Sequence, residues 1–403
     1  MKGFQTVIRF FACAALLLAL TGCWDRVEID KRGFVVGVAL DTAEQTGSSE
    51  KEDVPGTKIR GTFQFIVPSG LKSSSGSAGS GSAGARRSYF NLAVEESNMA
   101  ALTAMLSSRT SRSPYYEHLK LIIISKAIAS NDSMFSDVLD FFLRGKEMRR
   151  DMHVLVTDGK ASDLMRVTSL NENYPVSYIE STISNTDETS YILPSSRLGD
   201  VHEHLLKPES FTIQRVRLSG GSITLTGAAL FDGSEHKMIG TLNGENTQGL
   251  NFLMGQVKGG ILETAFKNTS IAIAVEDASR KIKLAGDDGE RLKFTVKISC
   301  DGTLIKSTLN TDLLDKAQTG TLEKLFESEI EKIAQKTIRT LQQKYKKDAM
   351  GLGSFMYQNH YRKWKRFSAE WETGRSLFAK ADIEVKANVK LRRIGDINRA
   401  EEE

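Results

Sequence analysis

Three cysteines and six histidines are few for a chain of 403 residues. That scarcity excludes a disulfide-stapled scaffold and argues against a multi-metal protein. Charge of one sign is lacking too. The 54 Lys and Arg face 50 Asp and Glu, and a net charge of +4 over this length is too weak to mark a nucleic-acid binder. No apolar run approaches the roughly 20 residues of a membrane-spanning helix. The run at 10–20 has eleven residues, which as a helix cover about 16 Å, half of a hydrocarbon core. The phosphate-binding G-x-x-x-x-G-K-[ST] and the nucleophile elbow G-x-S-x-G are both missing. With 40% hydrophobic and 26% charged residues, wholesale disorder is excluded, and the length suggests two to three domains.

The first residues are the most informative. Lys2 and Arg9 form a positive front end, the apolar run follows, and Thr21 and Gly22 are small. This is the three-part layout of a secretory signal. It closes on Leu20-Thr21-Gly22-Cys23, which resembles the bacterial lipobox. In that pattern the Cys23 thiol takes an S-diacylglycerol, the chain is cut between Gly22 and Cys23, and the new amino group is acylated. One acyl chain holds a protein to a bilayer only marginally, whereas two hold it stably. Cleavage there leaves 381 residues and lowers the net charge to +2, because Lys2 and Arg9 depart. Cys13 departs with them and Cys23 carries lipid, so Cys300 has no partner for an internal disulfide. Its place in the alternating stretch 292–300 predicts a buried strand residue.

Hydrophobic periodicity sketches the rest. Continuous apolar runs predict strands at 34–40, 58–67, 118–125 and 153–157. The Gly/Ser-rich stretch 69–85 predicts a flexible loop. Helical spacing predicts helices at 91–107, 134–142 and 161–169. Residues 171–208, polar and holding three prolines, read as an irregular connection. Strands are predicted at 222–231 and 236–242 around an Asp232-Gly233-Ser234 turn, then at 270–275, 280–284 and 292–300 as an antiparallel meander. Residues 321–347 carry the clearest helix, with Thr321 as its cap, and a second helical stretch follows Gly353. Strict alternation over 377–391 predicts a long strand with one wet face.

Candidate chemistry is sparse. Gly79, Gly81 and Gly84 match G-x-G-x-x-G, but inside a low-complexity loop without the flanking strand and helix that motif needs. His202-Glu203-His204 is a lone histidine pair and reads as solvated loop. Glu95-Glu96 and Asp287-Asp288 read as wet faces or turns. Arg362, Lys363, Lys365 and Arg366 around Trp364 and Phe367 read as an amphipathic helix with its rings inside, whose basic face is compatible with anionic headgroups. No nucleophile–base constellation, metal set or cofactor motif emerges, so the chain is not expected to be an enzyme, and no catalytic, metal-binding or cofactor-binding residue is assigned.

Several stretches in order resemble one family, the GerAC or Ger(x)C-type C-subunit lipoproteins of spore nutrient germinant receptors. They are LTGCWD from Leu20, EIDKRGFVVGVALD from Glu28, EESNMAALTAMLSS from Glu95, HLKLIIISKAIA from His118 and RRDMHVLVTDGKASDLM from Arg149. GAALFDGSEHKMIGTLNGENTQGL from Gly227 and the end from Trp364 to Gly395 complete the series. The loop 69–85 looks like an insertion, and DAMGLG at Asp348 is a loose match to the family's Gly/Phe-rich loop. The resemblance implies an α+β, multi-domain fold of three domains, each a mainly antiparallel or mixed sheet packed with helices. On this basis the expected division is a signal peptide 1–22, an α/β-type domain 23–190, a small β-rich domain 191–262 and a C-terminal domain 263–403. It further implies no catalysis, a lipid anchor at Cys23 on the outer face of the spore inner membrane, and integral membrane subunits A and B as partners, with no nucleic acid. A solute-binding lipoprotein that captures the nutrient directly is the alternative, and a cell-wall hydrolase would require an acid/base pair or metal site.

Overall fold

The computed structural model describes residues 3–4, 31–43, 58–71, 87–131, 133–169, 171–266, 269–288, 291–306 and 316–394. Gly22, Cys23 and the glycine motif at 79–84 lie outside the described residues.

The first sheet is built around β1 (Arg32–Thr42). From Val35 to Asp41 it is buried on both faces, as an interior strand requires. On one side it pairs antiparallel with β2 (Ile59–Ile66), which pairs antiparallel with β3 (Tyr89–Glu96). After β3 comes α1 (Met99–Ser108), capped by Asn98, whose side chain accepts from the Ala101 N–H at 2.9 Å. The helix expected from 91 therefore starts eight residues later. Leu92 fits the helical spacing, but 89–96 lies in full register against β2, with Arg60 and Glu95 paired at 2.8 Å.

On its other side β1 runs parallel to a short β4 (Ser113–Tyr115) and to β5 (Leu121–Ser125). Then come α2 (Met134–Arg144) and β6 (His153–Thr157), parallel to β5. The stretch expected to be irregular holds two helices, α3 (Pro175–Ser184) and α4 (Leu198–Leu205). Pro175, one of the three prolines of that stretch, stands in the first turn of α3, where a missing N–H costs nothing. Next, β7 (Phe211–Ser219) joins β6 in parallel, and β8 (Ser222–Asp232) and β9 (Lys237–Leu242) follow antiparallel. The sheet thus continues across the expected 190/191 division. One face packs under α1, α2 and α4, through residues such as Leu102, Phe135 and Val201. The other packs under α3 and a short turn at Ala161–Leu164.

After α5 (Gly244–Met254) comes the second sheet, ordered β10 (Ile261–Phe266), β11 (Thr269–Asp287), β12 (Leu292–Lys306), β13 (Asp382–Ile394). The first three pair antiparallel, but β10 was not expected from the sequence, and β13 pairs parallel to β12. Two strands were expected where β11 runs unbroken. A register shift between Val275 and Asp277 absorbs the polar stretch that seemed to end the first. Across this sheet lies α6 (Lys316–Arg339), continued by a π-helical turn at Thr340–Tyr345. Thr321 is interior to α6, its hydroxyl bonded to the Ala317 carbonyl at 2.9 Å, and so does not cap it. Then follow α7 (Leu352–Asn359) and α8 (Tyr361–Phe367). The predicted strand at 377–391 begins only at Asp382, because Leu377–Lys380 makes a helical turn.

Strand β8 belongs to both cores. Ala229 and Phe231 of β8 face the core under α2, while Ala228 and Leu230 face the core shared with α5, α6 and the second sheet. Alternation along a single strand thereby fastens the two sheets to each other. Gly249 lets α5 approach α6 closely: a Cβ there would lie 2.2 Å from Thr337 Oγ1.

Candidate functional site

Where the two sheets meet, four chain segments bring buried charges together. The first is the end of β8. Asp232 Oδ1 accepts from the N–H groups of Ser234 and Glu235 at 2.8 and 3.2 Å, which closes the expected turn. Gly233 has no room for a side chain, since a Cβ would stand 2.1 Å from the Glu209 carbonyl.

The second segment follows the π-helical turn. Lys346 adopts a left-handed conformation, φ 56°, and swings Lys347 and Asp348 back into the protein. The Lys347 ammonium lies 2.6 Å from Asp232 Oδ2 and 3.6 Å from Glu372 Oε2. Asp348 receives four hydrogen bonds. Gly351 and Leu352 N–H donate to Oδ1 at 2.9 and 3.1 Å, and Gly353 N–H and Trp371 Nε1 to Oδ2 at 2.6 and 2.9 Å. Burial pushes this carboxyl upward, against the donors that favour its charged form.

The third and fourth segments are 209–210 and 371–372. Glu372 Oε2 accepts from the Ser210 hydroxyl at 2.6 Å, and Oε1 accepts from the Asp348 N–H at 2.9 Å. Burial and then the Asp348 charge push Glu372 up to about 6. For Asp232, burial pulls upward, but Lys347 and the turn N–H groups outweigh it and the group sits below its ordinary value. Beside the knot, Arg280 Nη1 donates to the Leu253 and Met350 carbonyls at 2.6 and 2.5 Å. Ser354 donates to Glu209 at 2.5 Å.

Cavities flank the knot. One of about 410 Å³ is bordered by His204, Arg280, Asp348 and Glu372. Another of about 610 Å³ is bordered by Leu206, Pro208, Tyr357 and Trp364. Chemically the knot is a cross-link. Each carboxylate is engaged by N–H, O–H or ammonium donors.

The motifs singled out in the sequence fall elsewhere. His202 and His204 lie in α4, not in a loop. The His204 ring stacks on Phe211 at 4.9 Å, and burial holds it below the ordinary histidine value. Among the described residues no group of three His, Cys, Asp or Glu could hold a metal ion. Asp287 pairs with Lys363 at 3.1 Å, and Asp288 Oδ1 accepts from the Arg291 N–H at 2.7 Å. In α8, Phe367 is buried and Trp364 packs on the core, as expected. Cys300 is buried in β12, its thiol pushed up to about 12 by burial. Sequence reading missed the knot. Asp232 was seen only as a turn residue, and the one pointer to Asp348 was the loosely matching DAMGLG loop.

The fold and the knot define an α+β protein of two mixed sheets fastened into one body. Comparison gives the kinship. Residues 25–218 match the family described as spore germination protein N-terminal domain, and residues 226–395 match spore germination B3/GerAC like, C-terminal. Relatives in Bacillus subtilis (strain 168) include spore germination protein YndF, 27% identical over 95% of both chains. Spore germination protein B3 is 24% identical over 98% of this chain and 100% of its own, and spore germination protein A3 is 26% identical over 96% and 98%. The crystal structure of the GerBC protein superposes with a TM-score of 0.57 at 20% identity, covering 88% of this chain and 96% of that one. The chain belongs to the GerAC, or Ger(x)C-type, family of germinant-receptor C subunits.

Proposed function

We propose that this protein is the lipid-anchored C subunit of a nutrient germinant receptor, needed for nutrient-triggered spore germination. It is held to the outer face of the spore inner membrane by acyl chains on Cys23, and works without catalysis through contacts with integral membrane subunits A and B. The observation that carries this reading is the order of the two family matches along 25–395, directly behind the Leu20-Thr21-Gly22-Cys23 sequence. Among the described residues no helix is long and apolar enough to cross a membrane, so attachment in this reading falls to the acylated cysteine. The stretches 23–190, 191–262 and 263–403 then act as one coupled body.

Labelling with a fatty acid tests the anchor. The native protein should take up label and Cys23→Ala should not; label retained by the variant would refute it. Deleting the gene in a spore former should abolish the response to a particular nutrient, and co-purification from spore membranes should retain two integral proteins. A second reading, direct capture of the nutrient, draws support from the cavities beside the knot, whose 410 and 610 Å³ fall within the range of small-molecule sites. Calorimetry of the mature chain with candidate nutrients decides between the two, and saturable heat would favour capture.

A further inference from the structure

We propose that the end of the first sheet from which β1 starts is a docking face for anionic phospholipid headgroups. The proposal rests on the reading of Cys23 as the anchor. The topology gathers the start of β1, the end of β2, the start of β3 and the loop after α1 at this end. They enclose a cavity of about 640 Å³, lined by Arg32, Arg109 and Arg112 together with Phe34, Phe65 and Phe90. No carboxylate is among its lining residues. Phe90 is 42% exposed and stacks on Phe65 with ring centroids 5.0 Å apart. The Arg32 guanidinium lies 4.0 Å over the Tyr115 ring, which fixes its position. Arg109 and Arg112 are exposed, and neither has a carboxylate partner among the described residues. The nearby carboxylate of Glu117 accepts from the Tyr115 hydroxyl.

This is the chemistry of a bilayer interface. Guanidinium groups bind phosphate through paired N–H donors. An exposed Phe such as Phe90 can enter the headgroup/acyl boundary. The tether supplies the geometry. Cys23 precedes Arg32 by nine residues, at most about 32 Å of extended chain. An acylated Cys23 therefore keeps this end of the sheet, where β1 begins, within reach of the headgroups. The basic helix α8 is less suited, because Lys363 is paired with Asp287 and no short chain segment ties α8 to Cys23.

The test uses the mature chain with Cys23→Ser, which carries no lipid and keeps every described element from β1 onward. It should sediment with vesicles of mixed phosphatidylglycerol and phosphatidylcholine, not with phosphatidylcholine alone, and salt should release it. At about fivefold per basic residue near the surface, R32Q/R109Q/R112Q should lower partitioning roughly a hundredfold. R109Q/R112Q, changing two exposed side chains only, should lower it roughly 25-fold and serves if the triple variant folds poorly. R362Q/K365Q on α8 should have no effect. Equal binding to both vesicles, unchanged binding of the R109Q/R112Q chain, or loss on changing α8 would overturn the proposal. Binding to an acidic polypeptide but to neither vesicle would also overturn it, assigning the face to a protein partner. Because no lipid is attached in any arm, failure here is distinct from failure of fatty-acid labelling at Cys23.

Discussion

At Glu372 opposing effects meet in one carboxyl group. Burial and the Asp348 charge favour its neutral form, while the Ser210 hydroxyl, the Asp348 N–H and Lys347 favour its charged one, and the balance lies at about 6 against an ordinary 4.5. Between those two values the folded protein holds a proton that the unfolded chain releases. The protonated group's stabilisation is therefore complete below 4.5 and lost as pH rises through about 6. At about 1.4 kcal/mol for each pH unit of displacement, the loss is about 2 kcal/mol. Glu372→Gln should flatten the stability profile in that window. Denaturant midpoints measured across it in both proteins test this, and an equal slope in the variant would remove Glu372 as the cause.

At the scale of elements, α6 and β13 form an arrangement that neither periodicity contains. The edge of β13 turned away from β12 exposes backbone N–H groups, the kind of edge that invites another strand. Three glutamates one turn apart along α6 cover it. Glu331 accepts from the Ala387 N–H at 2.9 Å, Glu327 from Val389 at 3.1 Å and Glu323 from Leu391 at 3.0 Å. Gln335 extends the row by donating to the Ile383 carbonyl at 2.9 Å. Changing all three glutamates to Ala should cost about 0.5–1.5 kcal/mol per bond and open the edge to self-pairing. Light scattering behind a sizing column should then find dimers or larger species, and a strictly monomeric variant would deny the row its protective role. The apolar stripe of α6 through Leu322, Phe326 and Ile330 was legible, because helical burial leaves a local period. The glutamate row was not, because its meaning depends on a strand more than fifty residues further on. The same limit hid β3. Its residues satisfy a helical spacing locally, and only pairing with β2 decides between the two.

For the whole molecule, the question is what couples the two sheets. Apolar packing through β8 does part of it. The salt bridge from Lys347 to Asp232 adds a polar link, crossing from the segment after α6 to the end of β8 with both side chains about nine-tenths buried. Asp232 stands in a turn signal and in a stretch resembling the family, but nothing there points to Lys347, 115 positions further on. Buried pairs have an asymmetric energetics. Removing one partner strands a charge and typically costs about 3–5 kcal/mol, whereas replacing both with apolar residues is often neutral. Lys347→Met should therefore destabilise strongly, and adding Asp232→Leu should recover much of the loss. The double variant still lacks the turn bonds to Ser234 and Glu235 and the ammonium beside Glu372, so recovery should be incomplete. Hydrogen exchange separates coupling from simple stability. If the pair fastens the sheets together, Lys347→Met should speed exchange at the end of β8 and in 346–353 more than in β2 and β3, which lie at the opposite edge of the first sheet. A uniform rise throughout the protein would mean that the pair stabilises the fold globally without acting as the link between its sheets.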